Sequence, residues 1–169
     1  MSSPPPRDFL DRARAFAAAG LVAAGSLAVA GSFLEWARIV ERDVAENIDF
    51  GEATDEIEPG QGEPFTGLEA RDGWITLGAG LLTAFSAGAL LLTRRGGYAW
   101  LAFWASVVTG GIAFADYRGL GDAAAAISRR MEVGAEARPG IGLTLVAAAA
   151  TLGLISSVGG VAATPRAER

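Results

Sequence analysis

Charged side chains collect at the ends of the apolar stretches of this chain, and chemistry would have to happen there. Glu35, Arg38, Arg71, Asp72, Asp116, Arg118 and Arg138 all fall at one set of helix ends. Such a ring could bind a charged ligand, and two of its carboxylates could in principle hydrolyse a glycosidic bond as an acid and base pair. Nothing in the spacing selects two acids over the rest. Helix-end ion pairs and snorkelling arginines produce the same pattern. No catalytic residue is therefore assigned, and a carboxylate hydrolase stands only as the enzymatic alternative. Between Glu35 and Asp72, 12 acids face three arginines, a balance of -9. Asp49, Glu52, Asp55, Glu56, Glu58 and Glu63 could supply oxygen ligands to calcium or magnesium. They do not follow the helix-loop-helix calcium pattern, since Gly51 stands where the second ligand belongs. A solvated acidic surface is the simpler reading, and no metal site is assigned.

The missing residue types exclude more than the acids suggest. All 14 basic residues are arginine, and there is no histidine and no cysteine. Serine and cysteine hydrolases that rely on a histidine base, disulfides, iron–sulfur clusters and histidine-ligated zinc are thereby excluded. No cofactor is expected.

The elements that position these groups are four apolar stretches without ionisable side chains. They are Phe16 to Leu34, Trp74 to Thr93, Tyr98 to Ala115 and Ile141 to Ala163, of 19, 20, 18 and 23 residues. A hydrocarbon core about 30 Å thick takes about 20 apolar residues to cross as a helix. In lipid only a helix satisfies its own backbone groups. A soluble bundle of buried helices is the competing reading, but soluble helices carry a polar face and these have none. The fold class expected is an all-α membrane protein, a four-transmembrane-helix bundle with an acidic extracytoplasmic loop region. The segments are an N-terminal tail (1–15), first span (16–34), acidic loop (35–73), second span (74–93), hairpin (94–97), third span (98–115), second loop (116–140), fourth span (141–163) and C-terminal tail (164–169).

Aromatic residues support the boundaries. Trp36, Trp74 and Tyr117 lie at one set of ends, and Phe9, Tyr98 and Trp100 at the other, as two interfacial belts would require. The arginines divide seven against seven between the two sides, so raw count does not orient the chain. Arg7, Arg12, Arg14, Arg94, Arg95, Arg166 and Arg169 lie in short tails and a hairpin. The other seven are interleaved with 16 carboxylates in two longer loops. The expected localisation is the cell membrane, multi-pass, with both termini cytoplasmic. Ala28-Val29-Ala30 also resembles a signal-peptidase site. Asp8 and Asp11 dilute the basic start, and apolar character continues through Phe33 and Leu34, which favours a retained span.

Small residues recur every four positions: Gly20, Ala24, Ala28 and Ser32; Gly80, Ala84 and Gly88; Ala102, Ser106 and Gly110; Ala149, Gly153 and Ser157. Such stripes pack helices closely within a bundle, or between copies of a chain. In the acidic loop, Trp36, Val40, Val44 and Ile48 recur at near-helical spacing, predicting that the first span continues as a helix to about Asn47. Gly51, Pro59, Gly60, Gly62 and Pro64 then mark an irregular loop. In the second loop, Asp122 followed by four alanines, Arg129, Arg130 and Gly134 predicts a short separate helix capped at Asp122, with Ile127 and Met131 on one face.

Trp36 after the first span, Gly67 before Asp72-Gly73-Trp74, Asp116 closing the third span, and Gly140 with Gly142 opening the last form a recognisable layout. It resembles small, poorly characterised four-span membrane proteins of actinobacteria and halophilic archaea, with a claudin-like arrangement of a longer first outer loop. The cysteine pair and tryptophan-glycine-leucine pattern of claudins proper are missing. The resemblance implies a multi-pass membrane protein and supplies no activity. With no intramembrane charge to drive a pump or coupled transporter, the expected role is an accessory or scaffolding subunit that binds a protein partner through its outer face or assembles with itself. The alternative is an oligomeric pore or small-solute channel. Membrane lipid is an expected contact, and nucleic acid is not.

Overall fold

Alanine, leucine and glycine without a polar face build helices that need lipid outside and close contact inside. In the computed structural model, which describes residues 7–42, 64–69, 71–131 and 134–164, this produces four helices and one small sheet. The helices are α1 (Arg7–Phe33), α2 (Arg71–Thr93), α3 (Gly97–Met131) and α4 (Ile141–Ala162). All four are long and apolar enough to cross a membrane. Helix α1 packs on α2 and α4, and α3 packs on the same two, so the four close into an antiparallel bundle. The fold is the expected four-helix membrane bundle.

Most of the small-residue stripes pack inside it, Gly88 being exposed. Gly25 meets the backbone of Gly80 and Ala84, Gly80 meets Ala28, and Gly153 meets Ser106 and Ala24. A β-carbon on any of these glycines would collide with a neighbour, so the approach of α1 to α2 and of α4 to α3 requires glycine there. Ala18, Leu21, Ala87, Leu90, Ala99 and Ala102 complete a core nearer the hairpin end.

That hairpin joins α2 to α3 through Arg94 to Gly96, and Arg94 takes a left-handed φ of 56°. Its N–H donates to the Leu90 carbonyl at 3.1 Å, which ends α2 with an arginine where glycine is the usual terminator.

The opposite end departs from the sequence expectations in three ways. First, residues Glu35–Arg42 form strand β1, not a helical continuation of α1. β1 is central between β2 (Pro64–Thr66) and β3 (Gly134–Pro139), both antiparallel to it. Over eight residues a four-residue apolar spacing and a strand alternation coexist. The pairing of Ile39 with Ala137 and Val40 with Glu136 decides in favour of the strand. The remainder of the expected extension, from 43 on, lies outside the described residues.

Second, α3 runs unbroken to Met131, so Asp122 sits within it and does not cap a separate helix. Gly119 and Gly121 each cost about 1 kcal/mol relative to alanine, too little to break a helix that Ala123 to Ala126 then favour. At 1.5 Å per residue its 35 residues extend about 52 Å, well beyond the hydrocarbon thickness. Third, Trp36 is not part of an interfacial belt, being only 3% exposed.

Candidate functional site

The end of the bundle that carries the sheet is organised around Trp36. The β1–β2 register slips between Glu35 and Ala37, leaving Trp36 as the extra residue of a bulge. A bulge re-aims a side chain, and here the indole turns inward among Ala113, Leu143 and Val146. Its Nε1–H donates at 2.7 Å to the Gly31 carbonyl near the end of α1, which also accepts from the Leu34 N–H at 3.3 Å. The Trp36 carbonyl accepts from the Gly140 N–H at 2.8 Å.

Glycines admit the chain to this ring from several sides. A β-carbon on Gly67 would strike the indole and lie 2.7 Å from the Ser32 carbonyl oxygen. One on Gly73 would strike the Gly67 carbonyl, and one on Gly140 the Glu35 carbonyl. One on Gly142 would lie 2.7 Å from the Gly31 oxygen and 2.8 Å from the indole Cδ1. Trp36, Gly67, Gly73, Gly140 and Gly142, scattered along the sequence, therefore form one packed unit that ties α1, the sheet, α2 and α4 together.

Of the seven charged residues at this end, several fall into local arrangements among the described side chains. Glu35 and Arg38 make a bidentate pair, with Nε–Oε1 at 2.9 Å and Nη2–Oε2 at 2.8 Å. The hydrogen bond to Glu35, then its charge, raises the Arg38 pKa above its ordinary value. Arg138 stands opposite Arg38 in the β1–β3 register and is exposed. Asp116 lies near enough to Asp72 for their charges to interact, and its Oδ2 is buried without a hydrogen-bond partner among the described residues. Arg118 is separate again, its guanidinium 4.6 Å from the centroid of the Phe114 ring. Arg71 opens α2, but its side chain lies outside the described residues. The candidate metal ligands Asp49, Glu52, Asp55, Glu56, Glu58 and Glu63 lie outside them as well. Among the described residues no three histidine, cysteine, aspartate or glutamate side chains gather as a metal site would require.

Two features had not been expected. A cleft of about 420 Å³ opens between α3 and α4 below β3, lined by Phe114, Tyr117, Pro139, Leu143, Ala147 and Leu154 among others. In the sequence these are ordinary span residues. The one available signal was aromatic Phe114 and Tyr117 facing a small-residue run in α4. At the hairpin end, Arg14 is 6% exposed and lies within α1. It pairs with Asp11 at 2.9 Å and donates to the Ala163 carbonyl at 3.2 Å, clamping the start of α1 to the end of α4.

Most span hydroxyls turn back on their own helices. Ser32, Thr83, Ser86, Ser106, Thr109 and Ser157 donate to the carbonyls of Ala28, Ala79, Leu82, Ala102, Ala105 and Gly153 at 2.6–2.9 Å. The gap at the centre of the bundle, between Ala28, Thr83, Ser106 and Ala149, has no room for a water molecule. Compared with known proteins, the chain matches no family model and no curated protein.

Proposed function

We propose that this multi-pass membrane protein is an accessory or scaffolding subunit of the cell membrane, with both termini cytoplasmic and its sheet end meeting a protein partner outside. The observation that supports this most is the sheet, held on the helix ends by the Trp36 unit. It offers a fixed surface where the span hydroxyls and the central packing offer no reactive group. Phe65 on β2 is 47% exposed and is the natural anchor for a partner. Trp36 itself is withdrawn into the core and offers a partner no surface. The convergence of Trp36, Gly67, Gly73, Gly140 and Gly142 also supports reading them as the signature of a four-span family.

The full-length protein, extracted from native membranes in mild detergent, should carry a stoichiometric partner. Phe65→Asp should reduce its recovery about tenfold, the range of an interface anchor, while Arg95→Gln at the hairpin should leave it unchanged. Recovery of the protein alone under every condition would remove the proposal. An oligomeric pore is the rival. With the hydroxyls back-bonded and the centre closed, a pore would have to run between copies, and reconstituted liposomes permeable to small polar solutes would favour it.

A further inference from the structure

We propose that the cleft between α3 and α4 is a binding site for an anionic phospholipid, its acyl chain lying in the cleft and its phosphate meeting Arg118. This inference is independent of the partner-binding reading. Three observations carry it.

The first is position and length. Along α4 the cleft runs from Leu143 to Leu154, about 17 Å at 1.5 Å per residue. One leaflet of a hydrocarbon core about 30 Å thick is about 15 Å deep. The cleft thus begins where α4 begins, beside Pro139, and ends near the middle of the same helix. That is the reach of one acyl chain in one leaflet, and too short for a helix crossing both.

The second is the wall. Thr144 and Thr151 line the cleft, but their hydroxyls donate to the Gly140 and Ala147 carbonyls of their own helix at 3.3 and 3.0 Å. What remains facing outward is apolar, and in a bilayer an apolar chain must fill it.

The third is charge at the mouth. Phe114 forms one wall of the cleft, and the Arg118 guanidinium sits over its ring. An arginine so placed is held at the rim with donors left for a phosphate. Asp116, two residues away, falls on another face of α3 and lies near Asp72. Arg138, next to Pro139 on β3, adds a second cation at this end.

The test uses the full chain, purified in detergent with mixed phosphatidylglycerol and phosphatidylcholine and analysed by native mass spectrometry. The wild type should retain phosphatidylglycerol about tenfold over phosphatidylcholine, as one charge-assisted contact would provide. Arg118→Gln should bring the ratio close to one. Ala147→Trp, which fills the exposed cleft floor, should reduce retention of both lipids with the helical circular dichroism signal unchanged. A phosphatidylglycerol with a photoactivatable acyl chain, used on the wild type, should attach to α3 and α4 residues of the cleft even if the tryptophan variant does not fold. Equal retention of the two lipids by the wild type, attachment spread evenly over all four helices, or a disulfide-linked dimer through Ala147→Cys would each overturn the proposal. The last would show that a second copy occupies the cleft.

Discussion

The indole of Trp36 combines a hydrogen bond, a bulge and a packed ring at one position, and each can be removed separately. Trp36→Phe keeps an aromatic ring but leaves the Gly31 carbonyl only the longer bond from the Leu34 N–H, a loss of about 1 kcal/mol. Trp36→Ala also opens a cavity beside Leu143 and Val146 and should cost about 3–5 kcal/mol. Gly67→Ala adds one methyl group, yet its β-carbon meets the indole on one side and the Ser32 carbonyl on the other. Neither neighbour is the far end of a flexible side chain, so the substitution should destabilise at least as much as Trp36→Phe. Thermal unfolding in detergent should show Trp36→Phe as the mildest of the three variants and Trp36→Ala well below it in melting temperature. If Trp36→Phe and Gly67→Ala both melt with the wild type, the indole is not the keystone described here. A belt tryptophan, by contrast, would tolerate both changes.

At the level of elements, the boundaries of α2 and α4 were legible in the sequence because lipid imposes one rule on every residue of a span. An apolar run such as Trp74 to Thr93 can only be helical, whatever its neighbours do. The sheet was not legible, because nothing local specifies it. Trp36, Val40 and Val44 satisfy a helical spacing, and the partner that makes 35–42 a strand arrives from 134–139, after two further helices. The continuity of α3 past Asp122 was obscured in the opposite way, since a capping signal was present but adjacent alanines outweighed it. The charged residues were visible as a group, but Glu35 with Arg38 depends on β1, Asp72 with Asp116 on the packing of α2 against α3, and Arg118 over Phe114 on the four-residue spacing of α3. Disulfide formation tests the strand directly. Paired Cα atoms of antiparallel strands lie about 4.5–5.5 Å apart, within disulfide range. In this cysteine-free chain, Ile39→Cys with Ala137→Cys, or Val40→Cys with Glu136→Cys, should cross-link on mild oxidation in at least one register pair. If neither pair closes while the offset pair Ile39→Cys with Glu136→Cys does, the register is wrong. If none closes, the segment is not paired with β3.

The molecule as a whole is packed inside out relative to a water-soluble bundle. Its interior is alanine, glycine and back-bonded hydroxyls, while Leu92 at 87% and Phe16 at 79% exposure point outward. Exposed apolar area on this scale requires lipid, which makes sidedness the largest question the fold raises. Four crossings put both termini on the side of the Arg94–Gly96 hairpin and the sheet on the other, whichever way the protein faces. The direction proposed above rests on where arginines act as orienting charge. At the hairpin end Arg94 and Arg95 are exposed in a tight turn, and short basic connections remain in the cytoplasm. At the sheet end Arg38 is held by Glu35, and Arg118 lies over Phe114. Arg14 is also held internally by Asp11 and the Ala163 carbonyl, which takes one charge from the hairpin side and gives Arg94 and Arg95 more weight. Single cysteines at Ser3, Glu56 and Arg169 therefore have different expected reactivities toward an impermeant thiol reagent. In intact cells Glu56→Cys should label and the other two should not, and all three should label after permeabilisation. Labelling at positions 3 and 169 but not 56 would invert the protein, and labelling at 56 and 169 together would mean an odd number of crossings.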